Sequence, residues 1–414
     1  MVDGTVSRRR LRILLSEGGS TSAREAITAL ALAGHEVSYC DPERVCLGRF
    51  SRLVARRYRC PPLGSEPESY RVFVRDLLAT GRFDVLLPIH EQGYLFARIA
   101  DEVRPHAALA VPPFESYARL HSKLGFSRLL DALGLSQPRT TILEDGREVR
   151  RLEDYPFVLK AALGTASRGT WIVRDAPARD RAAAELSAAG TGLPVLVQAW
   201  IDAPLEQAQA VFQGGRLVGF HAARRLIEGG GGGAALKESV ARPQVLADMA
   251  RIGEALAWHG ALSLEYFLDA SQRPLYIDGN PRLVEPMGAA LSGLCLTDLL
   301  IGVSLGEAPA GVATSRPGIR TRLALQALIG EALRSGSRAA LLRTGRDLLA
   351  RRGAFARAEE ELSPAGLDPP SAIPVVVAAL SLLARPSRAA AWTRGGWSRH
   401  LLTPEAVRTI EAMR

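Results

Sequence analysis

Two stretches of the chain carry residue types that could handle a metal ion and a polyphosphate. In SLEYFLDASQRPLYIDGNPR, residues 263–282, two short strands joined by the turn DASQR each offer a carboxylate, Glu265 and Asp278. Asn280 lies two residues beyond Asp278, and the strand period places both on one face. Two carboxylates and an amide oxygen are hard ligands, suited to Mg²⁺ that also holds phosphates. Arg282, again two residues on, can turn the same way and offer its guanidinium fork to phosphoryl oxygens. Leu275 and Ile277 are expected to fill the opposite face, leaving the acidic pair half-buried and in need of a cation. The second stretch is PFVLKAALGTASRGTWIV, residues 156–173. A strand delivers Lys160, a loop of small residues containing Gly164, Ser167 and Gly169 follows, and another strand leaves. Such a loop can close its N–H groups over phosphates. No Gly-Lys-Ser/Thr opens a helix, so this is not a Walker loop, and a plain β-hairpin would leave a similar trace.

The basic residues sharpen this reading. Only Lys123, Lys160 and Lys237 among 52 basic residues are lysines. A chain that otherwise uses arginine keeps lysine where a compact ammonium on a flexible stem is wanted, as against phosphate oxygens. Lys237 sits in RRLIEGGGGGAALKESV, residues 224–240, and is expected on a loop. Arg224 or Arg225 of the same run could clamp an anion, and surface arginines at a strand end would look alike. The five glycines are either a disordered linker or a segment that closes over a reacting group.

These residues need a scaffold. Residues 11–16 read as a buried strand, 23–33 as a helix stopped by Gly34, 37–40 as a strand, 68–80 as a helix, 84–88 as a strand, 92–103 as a helix and 108–111 as a strand. Strands alternating with helices argue for a parallel sheet covered on both faces, which the pair Pro112-Pro113 closes. The small-residue turn at 18–22, between strand and helix, could hold an anion on its N–H groups. A helix at 122–133 leads into strands at 157–162, 170–174, 194–200, 207–213, 217–222, 261–268 and 274–278, with helices near 179–189 and 243–258. From about residue 291 the chain reads as mainly helical, with a Pro-rich break at 363–374.

Composition excludes several classes. Hydrophobic residues make up 47% and charged residues 23%, as in ordinary globular proteins. No apolar run reaches the roughly 20 residues of a membrane span. The opening residues lack an apolar region with a cleavage site, so no signal peptide is expected. Cys40, Cys46, Cys60 and Cys295 form no CxxC pair, which argues against zinc and fits a reducing cytoplasm. The net charge of +9 is concentrated at 311–357, where ten arginines face Glu331 and Asp347, an excess of eight. Aromatic residues are not interleaved there, as stacking on bases would want. Apolar residues at helical spacing in 323–333 and 339–350 instead give each helix a face to bury. Nucleic acid is therefore not expected as a partner. Truncation after about residue 310 is expected to leave an insoluble or unstable core. His90, His221 and His259 fall near the candidate site regions and are read as structural.

Lys160 with its Gly/Ser loop, followed by Glu265, Asp278 and Asn280-Pro281-Arg282, resembles the ATP-grasp superfamily over roughly residues 10–305. The run HSKLGFSRLLDALGLSQPRT, residues 121–140, is similar to the segment that brings an earlier lysine to the phosphates, with Lys123 in that place. The texture is closest to carboxylate–amine ligases and to carbamoyl-phosphate-synthetase-like members. The resemblance implies an α/β chain: a Rossmann-like pre-ATP-grasp domain over 1–113, a two-part α+β ATP-grasp domain over 114–310 with a lid at about 150–200, and a basic, mainly helical C-terminal region over 311–414. It implies ATP and Mg²⁺ as cofactors, with Mn²⁺ able to substitute. Lys123, Lys160, Gly164, Ser167 and Gly169 would bind phosphates, and Glu265, Asp278 and Asn280 the metal. Arg282 would steady the transferring phosphoryl group, with Arg225 as a further clamp. Gln198, Ala199, Trp200 and Ile201 would form the hinge against adenine, although members usually carry a glutamate there. Glu206 would hold the ribose, with Leu205 as the alternative if the alignment slips by one.

The function implied is ligation: a carboxylate becomes an acyl phosphate, and a nucleophile, most often an amine, displaces the phosphate to form a C–N bond. The partners are then a small carboxylate and a small amine, with a homodimer left open. The alternatives are a bicarbonate-using carboxylase or carbamoyl-type enzyme, and a nucleotide-binding protein without catalysis.

Overall fold

The computed structural model describes residues 9–162, 169–189, 194–307, 309–395 and 401–413. Its first sheet is parallel, in the order β3-β2-β1-β4, with β1 Arg12–Leu15, β2 Glu36–Asp41, β3 Val54–Arg59 and β4 Val85–Leu87. The neighbouring strands β1, RILL, and β4, VLL, are almost uniformly apolar because helices cover both faces. β3 was not legible as a strand: its sequence VARRYR puts arginines on an exposed edge, where charge discourages further pairing. Residues 108–111, expected as a strand, contribute only a bridge from Ala108 to Val85.

The second sheet is antiparallel, in the order β5-β8-β6-β7, with β5 Thr140–Leu143, β6 Phe157–Ala161, β7 Thr170–Val173 and β8 Val195–Ala199. The helix Ala176–Ala189 covers it through Ala182 and Ala183, which pack with Val149, Phe157 and Leu159.

The third sheet organises the molecule. It runs β13-β12-β9-β10-β11-β15-β16, with β14 beside β10. Its strands are β9 Glu206–Gln213, β10 Arg216–Glu228, β11 Ala234–Ser239, β12 Gly260–Leu268, β13 Pro274–Asn280, β14 Ala313–Thr314, β15 Arg320–Arg322 and β16 Glu359–Glu360. The last three fall in the stretch expected to be mainly helical. They are two or three residues long, AT, RTR and EE, so no apolar alternation marks them.

Apolar packing ties the parts together. Val211, Val218 and Ala261 of the third sheet share a core with Ile13 and Leu87 of the first and with Ile27 of the helix Thr21–Leu32. The helix Ala324–Ser335 buries Ala327, Leu328 and Ala332 against Ala235 and Leu236 of β11. The helix Pro404–Ala412 returns to the first domain, where Val407 and Ile410 pack with Tyr70 and Val74. The Arg24–Asp368 pair, at 2.6 Å and with both side chains almost wholly buried, fastens the C-terminal region to the first helix.

Candidate active site

The three sheets surround one cavity of ≈970 Å³. β12 and β13 supply its acidic strip, where Glu265 stands directly opposite Asp278. The pairing shifts between Glu265 and Tyr266, so that Tyr266 faces Tyr276 and Ile277 is the extra residue of a bulge. The bulge changes the strand's parity. Ile277, expected on the face opposite Asp278, lines the cavity beside it, and the fully buried Tyr276 goes to the core instead. Asn280 and Arg282 also line the cavity.

Four cations converge on the two carboxylates. Lys123, at the start of the helix Lys123–Ala132, donates to Asp278 Oδ1 at 2.9 Å. That helix is positioned by the Ser122 cap on Gly125 and by a close approach at Gly125, where a Cβ would lie 2.3 Å from the Arg119 carbonyl oxygen. Lys160, on β6, donates to the Ile277 carbonyl at 2.6 Å, using the backbone that the bulge exposes. Arg225, on β10, reaches Glu265 at 3.1 Å. Arg282 is buried, and its Nε has no partner among the described residues. Of the two arginines on β10, Arg224 points away and pairs with Glu238.

The electrostatics follow from this crowding. Burial lowers the Lys160 ammonium from its ordinary range to about 8, with Lys123 adding repulsion and Asp278 and Glu265 opposing. Burial pushes Glu265 up, against the pull of Arg225. Burial would also raise Asp278, but Lys123, Lys160 and Arg282 outweigh it and hold that carboxyl low. Burying two carboxylates is tolerable only because cations neutralise them. Among the described residues no cluster of three or more His, Cys, Asp or Glu could hold a metal. Glu265, Asp278 and the Asn280 amide nevertheless present hard oxygen donors to the cavity, a type that suits Mg²⁺.

Gln198, Ala199, Trp200 and Ile201, expected to form the hinge, all line the cavity, as do Val158, Ile172 and Phe267. Gln198 is buried, with its amide nitrogen donating to Thr140 at 3.1 Å, and Arg174 stacks over the Trp200 ring at 4.8 Å. Gly169 ends the small-residue loop with φ +69°, a left-handed conformation that suits glycine. Gly164 and Ser167 lie outside the described residues.

Three expectations change. Glu206 faces the core rather than the ribose side. Its carboxylate accepts from Arg242 at 2.5 and 2.7 Å and from the Tyr266 hydroxyl at 3.0 Å. Strand parity puts Leu205 and Gln207 on the cavity wall instead, and the buried Gln207 amide nitrogen has no partner among the described residues. Lys237 is not on a loop. It lies buried on β11, 2.8 Å from Glu285 and 2.7 Å from Glu361. The five glycines form the tight turn between β10 and β11, closed by Gly229 N donating to Gly233 O at 2.8 Å. The turn at 18–22 lines the cavity, and three of its N–H groups are engaged. Gly18 donates to Asp41, and Gly19 and Ser20 donate to Glu17. His90 also lines the cavity. His221 is buried against Ser315 and held neutral, its pKa lowered to about 3 by burial and by Lys237. His259 is not part of the lining.

No protein-family profile matches the chain, and no curated protein matches it either. Solved structures do share its fold. N5-carboxyaminoimidazole synthetase from Staphylococcus aureus, complexed with ADP, aligns over 86% of this chain and 92% of its own at 11% identity, with a TM-score of 0.61. The biotin carboxylase domain of 2-oxoglutarate carboxylase from Hydrogenobacter thermophilus, in complex with MgADP, ADP and bicarbonate, aligns over 76% and 74% at 16% identity, with a TM-score of 0.59. L-amino acid ligase from Bacillus licheniformis aligns over 72% and 74% at 16% identity, with a TM-score of 0.53. These are ATP-grasp enzymes, and this chain has the ATP-grasp fold. At such identities the likeness is one of fold, and the chemistry has to be argued from the residues.

Proposed function

We propose that the chain is an ATP-dependent ligase that activates a carboxylate as an acyl phosphate and joins it to an amine. The observation that carries this reading is the charge of the cavity: Lys123, Lys160, Arg225 and Arg282 against Glu265 and Asp278. Four cations gathered around two carboxylates suit a polyphosphate at this point of the cavity, and the Arg282 Nε, without a partner among the described residues, is a buried donor open to an anionic acceptor. Lys123 and Lys160 neutralise ATP phosphates. Arg282 and Arg225 orient the acid's carboxylate and the transferring phosphoryl group. Such fixed charges lower the barrier to phosphoryl transfer with little covalent chemistry from the protein. Glu265, Asp278 and Asn280 would hold Mg²⁺, which neutralises developing charge on the phosphates. A carboxylate oxygen takes the γ-phosphoryl group and ADP leaves. The amine nitrogen then bonds to the acyl carbon, phosphate leaves, and the amine's proton passes to solvent. The apolar walls beside the hinge, Val158, Ile172 and Phe267, suit the adenine ring.

The experiment is a panel of acids and amines incubated with Mg·ATP, read by ADP and phosphate release and by product mass. A product whose mass equals acid plus amine less water supports the proposal. ADP release that depends on bicarbonate alone would instead favour the carboxylase reading, which the bicarbonate-bound structural neighbour keeps in play. ATP binding without turnover across the panel would make the chain a nucleotide-binding protein.

A further inference from the structure

The residues that would handle ATP come from β6, β8, β12 and β13, yet the cavity continues past them. Its far end has a different chemistry. Leu47 and Phe50 enter from a turn of the first domain, Leu325 and Ile329 from the helix Ala324–Ser335, Pro374 from the helix Ile373–Ala384, and Trp392 from the helix Arg388–Gly395. All six are half-buried. Leu325 and Ile329 are four apart on one helix, so they stand on the same face.

The glycine turn sets this wall in place. A Cβ on Gly230 would lie 2.2 Å from Ile329 Cγ2, and one on Gly229 or Gly233 would lie 2.7 Å from Gln326. Only glycine lets the turn sit this close to the helix. Gly230 N donates to Gln326 Oε1 at 2.9 Å, so the acceptor oxygen of the one amide side chain on this helix face is engaged by the turn itself. At the inner edge of the wall lie Lys237, held between Glu285 and Glu361, and then Arg282. The cavity thus passes from a cationic end, through a polar belt of paired charges, to an apolar end built by three helices of the C-terminal region and a turn of the first domain. An apolar pocket with a few polar groups at one end is the usual design for fixing a ligand by its head and selecting it by its tail.

We infer that this end of the cavity is a specificity subsite for a bulky aliphatic or aromatic group carried by a substrate. The inference rests on the ligase reading for the chemistry at the other end. The group could belong to the acid or to the amine, and the test separates the two.

The full chain is assayed with Mg·ATP. Glycine, alanine, aspartate, leucine, phenylalanine and tryptophan, each N-acetylated so that only the carboxylate can react, serve as acids with hydroxylamine as acceptor. The amides of the same amino acids serve as amines with the acid that turns over best. In one arm, kcat/KM for the leucine, phenylalanine or tryptophan member is expected to exceed that of the glycine and aspartate members at least tenfold. Leu325→Trp, which fills the subsite, is expected to lower the ratio of large-member to small-member kcat/KM at least tenfold. Flat or reversed selectivity in both arms, or a Leu325→Trp effect equal for every member, overturns the inference. If no acid drives ADP release, the ligase reading has failed. The subsite is then judged by calorimetry of the same compounds in the presence of Mg²⁺ and a non-hydrolysable ATP analogue. Preferential binding of the apolar members sustains it, and equal or absent binding across the series overturns it.

Discussion

The two ends of the cavity are built by different means. The cationic end is made by paired strands: Glu265 and Asp278 face one another across β12 and β13, and Lys160 reaches the Ile277 carbonyl beside them from β6. Backbone pairing fixes the spacing of such side chains, so a polar constellation survives there without a large apolar shell. The apolar end is made by helices and turns from distant parts of the chain, held by a glycine turn pressed against Gln326 and Ile329. The first arrangement can keep one chemistry constant, while the second can be reshaped by changing single side chains. A fold that serves several reactions would be expected to divide its labour this way.

The largest effect is expected at the cationic end. Asp278→Asn and Glu265→Gln should each keep the fold and cut turnover by about 100-fold or more, the scale of losing a key electrostatic group in an active site. Circular dichroism would check the fold and ADP release the turnover. Ordinary activity in both variants at ordinary Mg²⁺ would remove the metal assignment.

Next comes the belt between the two ends. Burial opposes the Lys237 charge, but Glu285, Glu361 and Glu25 outweigh it and hold the ammonium protonated well above its ordinary range. Glu25 itself is pushed up by burial and by the neighbouring glutamates. Its Oε1 and that of Glu361 have no hydrogen-bond partner among the described residues. Lys237→Met strips the cation from these buried carboxylates and should cost about 3–5 kcal/mol, measured by urea unfolding. The loss should be smaller in Lys237→Met with Glu361→Gln, which removes one of the stranded charges. Equal losses would mean that the cluster is not electrostatically coupled.

Much of the cationic end was legible in the sequence, because its residues are close in the chain and obey the strand period. Asp278, Asn280 and Arg282 are two apart, and scarce lysines drew attention to Lys123 and Lys160. What was missed has definite physical causes. The bulge at Ile277 breaks the period of two, so Ile277 moved to the cavity face and Tyr276 to the core. Lys237 followed a run of glycines that looked like a linker, and nothing local showed that Glu361, far along the chain, closes over it. The apolar end was invisible because its residues come from four separate segments, each carrying only one or two of them. β15 and β16 were missed because a charged strand of two or three residues has no pattern to find.

A smaller effect concerns Lys160, whose pKa burial lowers to about 8; under the proposed role, ATP binding should depend on pH. Below about pH 8 the side chain is charged in the protein, and above it neutral. The phosphates favour the charged form, so affinity should fall as pH rises past about 8. The same burial makes the charged ammonium a destabilising group below about pH 8, a penalty relieved as pH climbs toward the ordinary lysine range. Lys160→Ala should weaken ATP binding by about tenfold or more, equivalent to about 1.4 kcal/mol. Lys160→Arg should remove the pH dependence between about 7 and 9, since arginine stays charged throughout. Calorimetry with a non-hydrolysable ATP analogue at several pH values would decide. A wild-type affinity that is level across this range would mean that Lys160 does not touch the nucleotide.

The smallest expected effect separates two neighbouring residues on β9. Glu206 points to the core and is bound by Arg242 and Tyr266, whereas Gln207 lines the cavity with its amide nitrogen unpartnered among the described residues. Glu206→Gln should therefore leave ATP affinity within about twofold. It should cost stability on the order of 1–3 kcal/mol, because it weakens a charged, buried hydrogen-bond network. Gln207→Leu should do the reverse. It exchanges an unsatisfied buried amide for an apolar group, so stability should hold or rise. Nucleotide affinity should drop a few-fold if that amide is a ribose or phosphate donor. The two residues are adjacent and differ only in which face of the strand they occupy. If Glu206→Gln weakened ATP binding more than Gln207→Leu, the register of β9 against β12 would have to be one residue out. In the antiparallel pairing of β12 with β9, Glu265 stands opposite Gln207, and that register would then fall with it.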